Sequence, residues 1–235
     1  MTAISDTTAL ENNRLWATMR PDDQAALRPS MKLRHLPLRD VVTEAGQPVE
    51  IVYFPVTADL ANVIRFSDGR SGMATNVGRE GVSGLAAFLA DEPCGWDIQV
   101  QIEGAAWALE SRVLRRQIKA SQPLLRLLLG LTHFNQIEAA QNAVCNTSHM
   151  IVPRIARWLL TLQDRTGGDA FAVTQEDVAV LVSARRTTVN AAWQSLRDAG
   201  AIRHSRGVIT IIDRDRLQDQ VCECYAALKW RSSTV

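Results

Sequence analysis

Thr174–Ile212 reads TQEDVAVLVSARRTTVNAAWQSLRDAGAIRHSRGVITII, and this stretch decides the fold. Thr174 is an N-cap type, and Asp177 stands where a capping box prefers Glu or Gln, a serviceable but imperfect match. Val178, Leu181 and Val182 then recur on one helical face, with small Ala179 where a second helix can cross closely. A turn at Ser183-Ala184 follows, with Ser183 in the place usually taken by glycine. From Arg185 a second helix turns Val189, Ala192, Trp193 and Leu196 inward and presents Arg185, Arg186, Thr187 and Asn190 at its start. Gly200 suits the C′ position that ends it. A basic, glycine-containing hairpin pattern comes next. Two short helices and a hairpin in this order predict a winged helix-turn-helix, whose second helix sets its first residues against base edges in the major groove.

Charge is placed to match. Residues 185–206 hold five arginines (Arg185, Arg186, Arg197, Arg203, Arg206) and His204 against one acid, Asp198, in a chain whose net charge is only +1. A local basic patch on a near-neutral protein fits phosphate contact that keeps selectivity. Thr174, Gln175, Ser183, Arg185, Arg186, Thr187, Asn190 and Arg206 are the candidate DNA-contacting residues.

The words TQEDVAVLV, RRTTVN, LRDAGAI and RGVITIIDRDRL resemble the C-terminal domain of the Crp/Fnr family of bacterial transcription regulators. The likeness is specific over about residues 150–225 and looser over about 20–148. Arg186, Thr188 and Val189 match the usual start of the family's second helix, whereas Thr187 stands for its Glu and Ala191 for its second Arg. The usual family half-site is therefore not carried over.

The resemblance implies an α+β architecture: a cyclic-nucleotide-binding-like β-roll with short N-terminal helices over 1–120, a dimerisation helix over 121–148 and the winged helix-turn-helix over 149–235. Short β-rich runs such as EIVYFPV, LANVIRF and DIQVQI, punctuated by Pro and Gly turns, agree, although an unrelated jelly roll gives the same pattern. After Ser121-Gln-Pro123 a helical stripe begins, with Leu124, Leu127, Leu131, Phe134 and Ile137 at three- and four-residue steps. Such a stripe buries either against its own β-roll or against a partner helix. The resemblance favours the partner, making these five residues the candidate dimer seam. A further amphipathic helix is expected over Val152–Asp164.

In family members that bind cyclic AMP, a Gly-Glu pair takes the ribose and an Arg soon after takes the phosphate. Here Gly81 is followed by Val82, and no Lys or Arg lies between Arg79 and Arg112. Cyclic-nucleotide control in that mode is not expected, since a buried phosphate needs a cation or convergent donors. The first cysteine is Cys94, which excludes the N-terminal iron–sulfur cluster of oxygen-sensing relatives. Cys222-Glu-Cys224 resembles half a metal site with no second pair at zinc spacing. Cys145 is either a packed thiol or an intersubunit disulfide partner. No metal or cofactor is expected, and the effector stays open.

No apolar run reaches membrane-spanning length, and the polar start MTAISDTTALENN has no signal-peptide pattern. Four cysteines without secretory context read as cytoplasmic thiols. No nucleophile elbow or phosphate-binding loop points to an enzyme. The expectation is a homodimeric, cytoplasmic transcription regulator with double-stranded DNA as partner and RNA polymerase implied beside it. The other reading is an effector-binding protein whose C-terminal domain contacts protein rather than DNA.

Overall fold

The structure, a computed structural model, describes residues 8–182 and 184–232. Two short helices, α1 (Arg14–Thr18) and α2 (Pro21–Leu27), precede seven strands: β1 (Lys32–Leu36), β2 (Val41–Thr43), β3 (Ile51–Pro55), β4 (Asp59–Arg65), β5 (Ser71–Val77), β6 (Asp97–Ile102) and β7 (Gly104–Glu110), with α3 (Leu85–Ala90) inserted before β6. The strands form two antiparallel sheets, ordered β1-β7-β3 and β2-β6-β4-β5. Leu36, Val52, Phe54, Ala106 and Leu109 of one sheet and Leu60, Ile98 and Val100 of the other share one buried core. This is the expected β-roll. Asn13 staples the N-terminal helices to it: its Oδ1 caps α1 at Trp16 N, 2.9 Å, while Nδ2 donates to the Pro55 and Gly81 carbonyls, both 2.9 Å.

Helix α4 (Ser111–Ala120) leads into α5 (Gln122–Ser148). The Ser121 hydroxyl accepts from Leu124 N at 3.2 Å, so the helix starts where the sequence places its cap. The direction its stripe faces differs from the expectation. Leu124, Leu131 and Phe134 are 1%, 2% and 5% exposed and belong to the β-roll core, with Leu127 packed at its edge. Spacing of three and four selects one helical face but not which neighbour covers it. Leu129 and Val144, 51% and 59% exposed, lie on the opposite side of the helix. Leu131→Ala should accordingly destabilise the fold by about 2–5 kcal/mol through the cavity it leaves, measured by denaturant titration.

The remaining elements are α6 (Ile151–Thr166), β8 (Ala170–Ala172), α7 (Gln175–Leu181), α8 (Arg186–Asp198), β9 (Ile202–Ser205), β10 (Val208–Ile211), α9 (Arg214–Gln218) and α10 (Cys224–Ser232). The helix expected over Val152–Asp164 runs slightly further at both ends. Chain contacts divide the molecule into two units, one covering residues up to Val63 with Thr75–Gln136, the other Ile64–Ala74 and the chain from Ile137 on. The long helix thus contributes to both. Among the described residues, no helix is long and apolar enough to cross a membrane.

Candidate nucleic-acid interface

Helix α7 opens on a complete capping box. Thr174 Oγ1 accepts from Asp177 N at 3.2 Å, and Asp177 Oδ2 accepts from Thr174 N at 2.8 Å. The shorter Asp therefore completes the box as Glu would. The turn out of α7 is held by Ala184 N donating to Ala179 O, 2.9 Å, and by the Arg154 guanidinium of α6 on the Val182 carbonyl. Ser183 itself lies outside the described residues. Helix α8 begins at Arg186 rather than Arg185, which occupies the N-cap position without a side-chain cap bond. It buries Val189, Ala192, Trp193 and Leu196, the expected face. Its end is a Schellman motif: Gly200, at φ +69°, donates to Arg197 O and Ala201 to Leu196 O.

Three of the sequence-selected residues meet on the exposed side. Gln175 Nε2 donates to Asn190 Oδ1 at 2.8 Å, and Arg186 Nε donates to Gln175 Oε1 at 3.1 Å. Gln175, at the start of α7, thereby links two side chains a turn apart on α8. Arg185 and Thr187 are exposed beside them. Arg206 stands apart in sequence at the hairpin tip.

That hairpin pairs β9 with β10 through Ser205↔Val208, joined by Arg206 and Gly207 at φ +50° and +78°. Two left-handed residues in a two-residue loop make the type I′ geometry that matches strand twist. Gly207 adopts it freely, whereas Arg206 is strained there by about 1 kcal/mol or more. β8 adds a third strand beside β10, which the sequence reading lacked. His204 does not join the basic patch as a full charge. Its ring lies 4.4 Å from that of Trp193, and burial first, then Arg197, lowers its pKa.

The C-terminal elements brace this domain. Asp213 caps α9 by accepting from Arg216 N, 3.0 Å. Asp164 of α6 takes Arg214 at 2.9 Å and the Tyr225 hydroxyl at 2.6 Å, tying α9 and α10 to α6. Cys145, Cys222 and Cys224 form a separate buried cluster within one chain. Cys145 is fully buried within the protomer, as a packed thiol would be. Burial raises the Cys145 thiol and pushes that of Cys222 up to about 12.

Comparison with known proteins agrees with this arrangement. A family model, the Crp-like helix-turn-helix domain, matches residues 153–220. A CRP-like cAMP-activated global transcriptional regulator of Mycobacterium tuberculosis is 28% identical over 211 residues, covering 85% of this chain and 92% of that relative. Among solved structures, FixK2 from Bradyrhizobium japonicum superposes with a TM-score of 0.67 at 19% identity, over 82% of this chain and 98% of its own. A CRP-family transcriptional regulator from Thermus thermophilus gives 0.65 at 17%, over 80% and 95%. The structures share the fold. With the capped α7, the recognition-type α8 and the wing in place, residues 153–220 form a Crp-like helix-turn-helix domain, and the chain is similar over most of its length to Crp/Fnr-type transcription regulators.

Proposed function

We propose that the protein acts in the cytoplasm as a homodimer that reads a two-fold operator through α8 without cyclic-nucleotide control, with RNA polymerase as its partner at the promoter. Residues 1–120 serve as sensor, 121–148 as coupling and dimerisation helix, and 149–235 as the DNA-binding domain. The observation that carries the DNA reading is the Gln175–Arg186–Asn190 network at the start of α8. Arg186 is held there through Nε, so its terminal nitrogens are the pair that would fork onto guanine O6 and N7. Asn190 suits an adjacent adenine, Arg185 and Thr187 the flanking positions, and Thr174 and Arg206 the phosphates.

Arg186→Ala should weaken operator binding by about 1–3 kcal/mol and relax specificity at one position per half-site. Equal losses on operator and random DNA in a gel shift would remove the base-reading role. Arg206→Gly should relieve the left-handed strain, raising stability by about 0.5–1 kcal/mol, while weakening all DNA sequences alike and flattening the salt slope. Denaturant titration and salt-dependent binding read the two effects separately.

Freedom from cyclic nucleotides rests on the turn after β5. Gly81 N already donates to Gly78 O, and Ser83 N to Tyr53 O, so these amides are engaged inside the protein. Leu131 of α5 packs over the turn, 3.6 Å from where a Cβ on Gly81 would stand. Leu85 and Phe88 of α3 are core residues, and Asp91 pairs with Arg115 at 3.0 Å. Cyclic AMP or cyclic GMP at millimolar concentration should change operator affinity by less than about threefold. Calorimetry with a micromolar dissociation constant and a matching gain in DNA affinity would contradict this.

The two-fold reading requires a partner for α5. Three of the five seam residues that the resemblance implied, Leu124, Leu131 and Phe134, are spent on the protomer's own core. The seam then falls on the other side of the helix, through Leu129, His133, Ala140 and Val144 with Ile137 at its border, again at steps of three and four.

A further inference from the structure

Cys145 and His149 sit four residues apart at the end of α5, so both occupy one helical face, and His149 N still donates to Cys145 O at 3.1 Å. Cys222 and Cys224 come from the loop before α10 and the first residue of that helix. The four candidate ligand atoms all lie within 4.8 Å of one another. Cys145 Sγ is 3.7 Å from Cys222 Sγ, and Cys224 Sγ is 3.7 Å from His149 Nδ1. A tetrahedral zinc ion with Zn–S near 2.3 Å and Zn–N near 2.0 Å sets its ligands about 3.8 Å apart for S–S and about 3.6 Å for S–N. The two pairs at 3.7 Å match these edges, and the remaining pairs, within 4.8 Å, need at most a small closure onto the ion. An iron–sulfur cluster would hold its outer thiolates further apart, because they ligate different irons.

The surroundings complete a metal site. His149 Nε2 lies 3.2 Å from Glu223 Oε1, the outer carboxylate that fixes the proton on Nε2 and turns Nδ1 toward the sulfurs. Gln141 Nε2 donates to Cys224 Sγ at 3.0 Å, as a thiolate ligand invites. Arg157 and Arg154 donate to Asn142 and Asn146, which flank Cys145 on α5, and bring positive charge beside three sulfurs. The three cysteines are buried, and the His149 side chain is 23% exposed.

We propose that Cys145, His149, Cys222 and Cys224 form a Cys3His site for a divalent zinc ion, which clamps the C-terminal helix α10 to the junction between α5 and α6. Four protein ligands leave no open position, so the site is structural rather than catalytic. The ion joins ligands 77 residues apart and anchors His149 inside the Ser148–Met150 junction that leads into the DNA-binding domain. The proposal stands apart from the DNA reading, since metal content is measured without DNA.

The test uses the full chain, purified under reducing conditions without chelator after growth with added zinc sulfate. Elemental analysis should find about one zinc per protomer. After removal of the metal, one equivalent of cobalt(II) chloride should give a thiolate-to-cobalt charge-transfer band and the intense visible bands of a tetrahedral ion, both displaced by zinc. Cys224→Ser and His149→Ala should lower metal retention at least tenfold, while Cys94→Ser keeps it. Should those variants fold poorly, the wild-type protein decides: a strong chelator should lower its thermal midpoint, and zinc sulfate should restore it. A protein with four titratable thiols in denaturant, under about a tenth of an equivalent of zinc and no cobalt–thiolate band would overturn the proposal.

Discussion

Leu129→Glu together with Val144→Glu should yield a folded monomer whose operator affinity has fallen to its non-specific level, about a thousandfold or more. Both side chains are half or more exposed in the protomer, so glutamate there meets water and the β-roll core stays intact. In a two-fold seam each substitution places carboxylates opposite their own copies in an apolar contact, where burial and like charge act together. One recognition helix then remains per molecule, and the second half-site, one DNA turn away, goes unread. Light scattering, far-ultraviolet circular dichroism and gel shifts read assembly, folding and binding independently. Wild-type protein that is already monomeric at micromolar concentration, or a double variant that stays dimeric, would contradict the seam. Leu131→Glu is a poor substitute for this test, because Leu131 is a core residue and its loss reports folding.

Glu138→Ala should destabilise the protein by about 3–5 kcal/mol, a large part of the roughly 5–15 kcal/mol that holds a typical domain together. Glu138 of α5 accepts from Arg165 of α6 at 2.9 and 3.1 Å, and their side chains are only 5% and 7% exposed. Removing the carboxylate takes a bidentate charge partner from a buried guanidinium, and that lost compensation is what costs stability. Replacing both residues with methionine should be far milder, since neither charge of this pair is then left behind. Denaturant titration distinguishes the two. A single variant within about 1 kcal/mol of wild type would mean that Arg165 finds other compensation.

The helix-turn-helix was legible because its signals are local. Thr174 and Asp177 close their box within four residues, Gly200 marks the end of α8, and Arg206-Gly207 is a two-residue turn. The β-roll was legible in outline, but β1 was not: KLRHL is basic and mostly exposed, with no alternating face to betray it. Helix α4, SRVLRRQIKA, also went unread between the last strand and the long helix. The stripe on α5 was visible while its destination was not, since Leu131 has the same spacing whether it meets Gly81 or a second chain. The quartet around Cys145 was hidden for a related reason. Its two halves, Cys-x3-His and Cys-x-Cys, lie 77 residues apart, and only the fold brings them together.

Selection of genomic fragments at physiological salt, followed by footprinting of those retained, tests the central claim most directly. A dimer reading DNA through α8 should keep fragments that share a two-fold symmetric site, with half-site centres about 10–10.5 base pairs apart, and Arg186→Ala should lose the preference at one guanine in each half. Retention of no fragment, or of fragments without a common symmetric sequence, would contradict it and favour a C-terminal domain that binds protein instead.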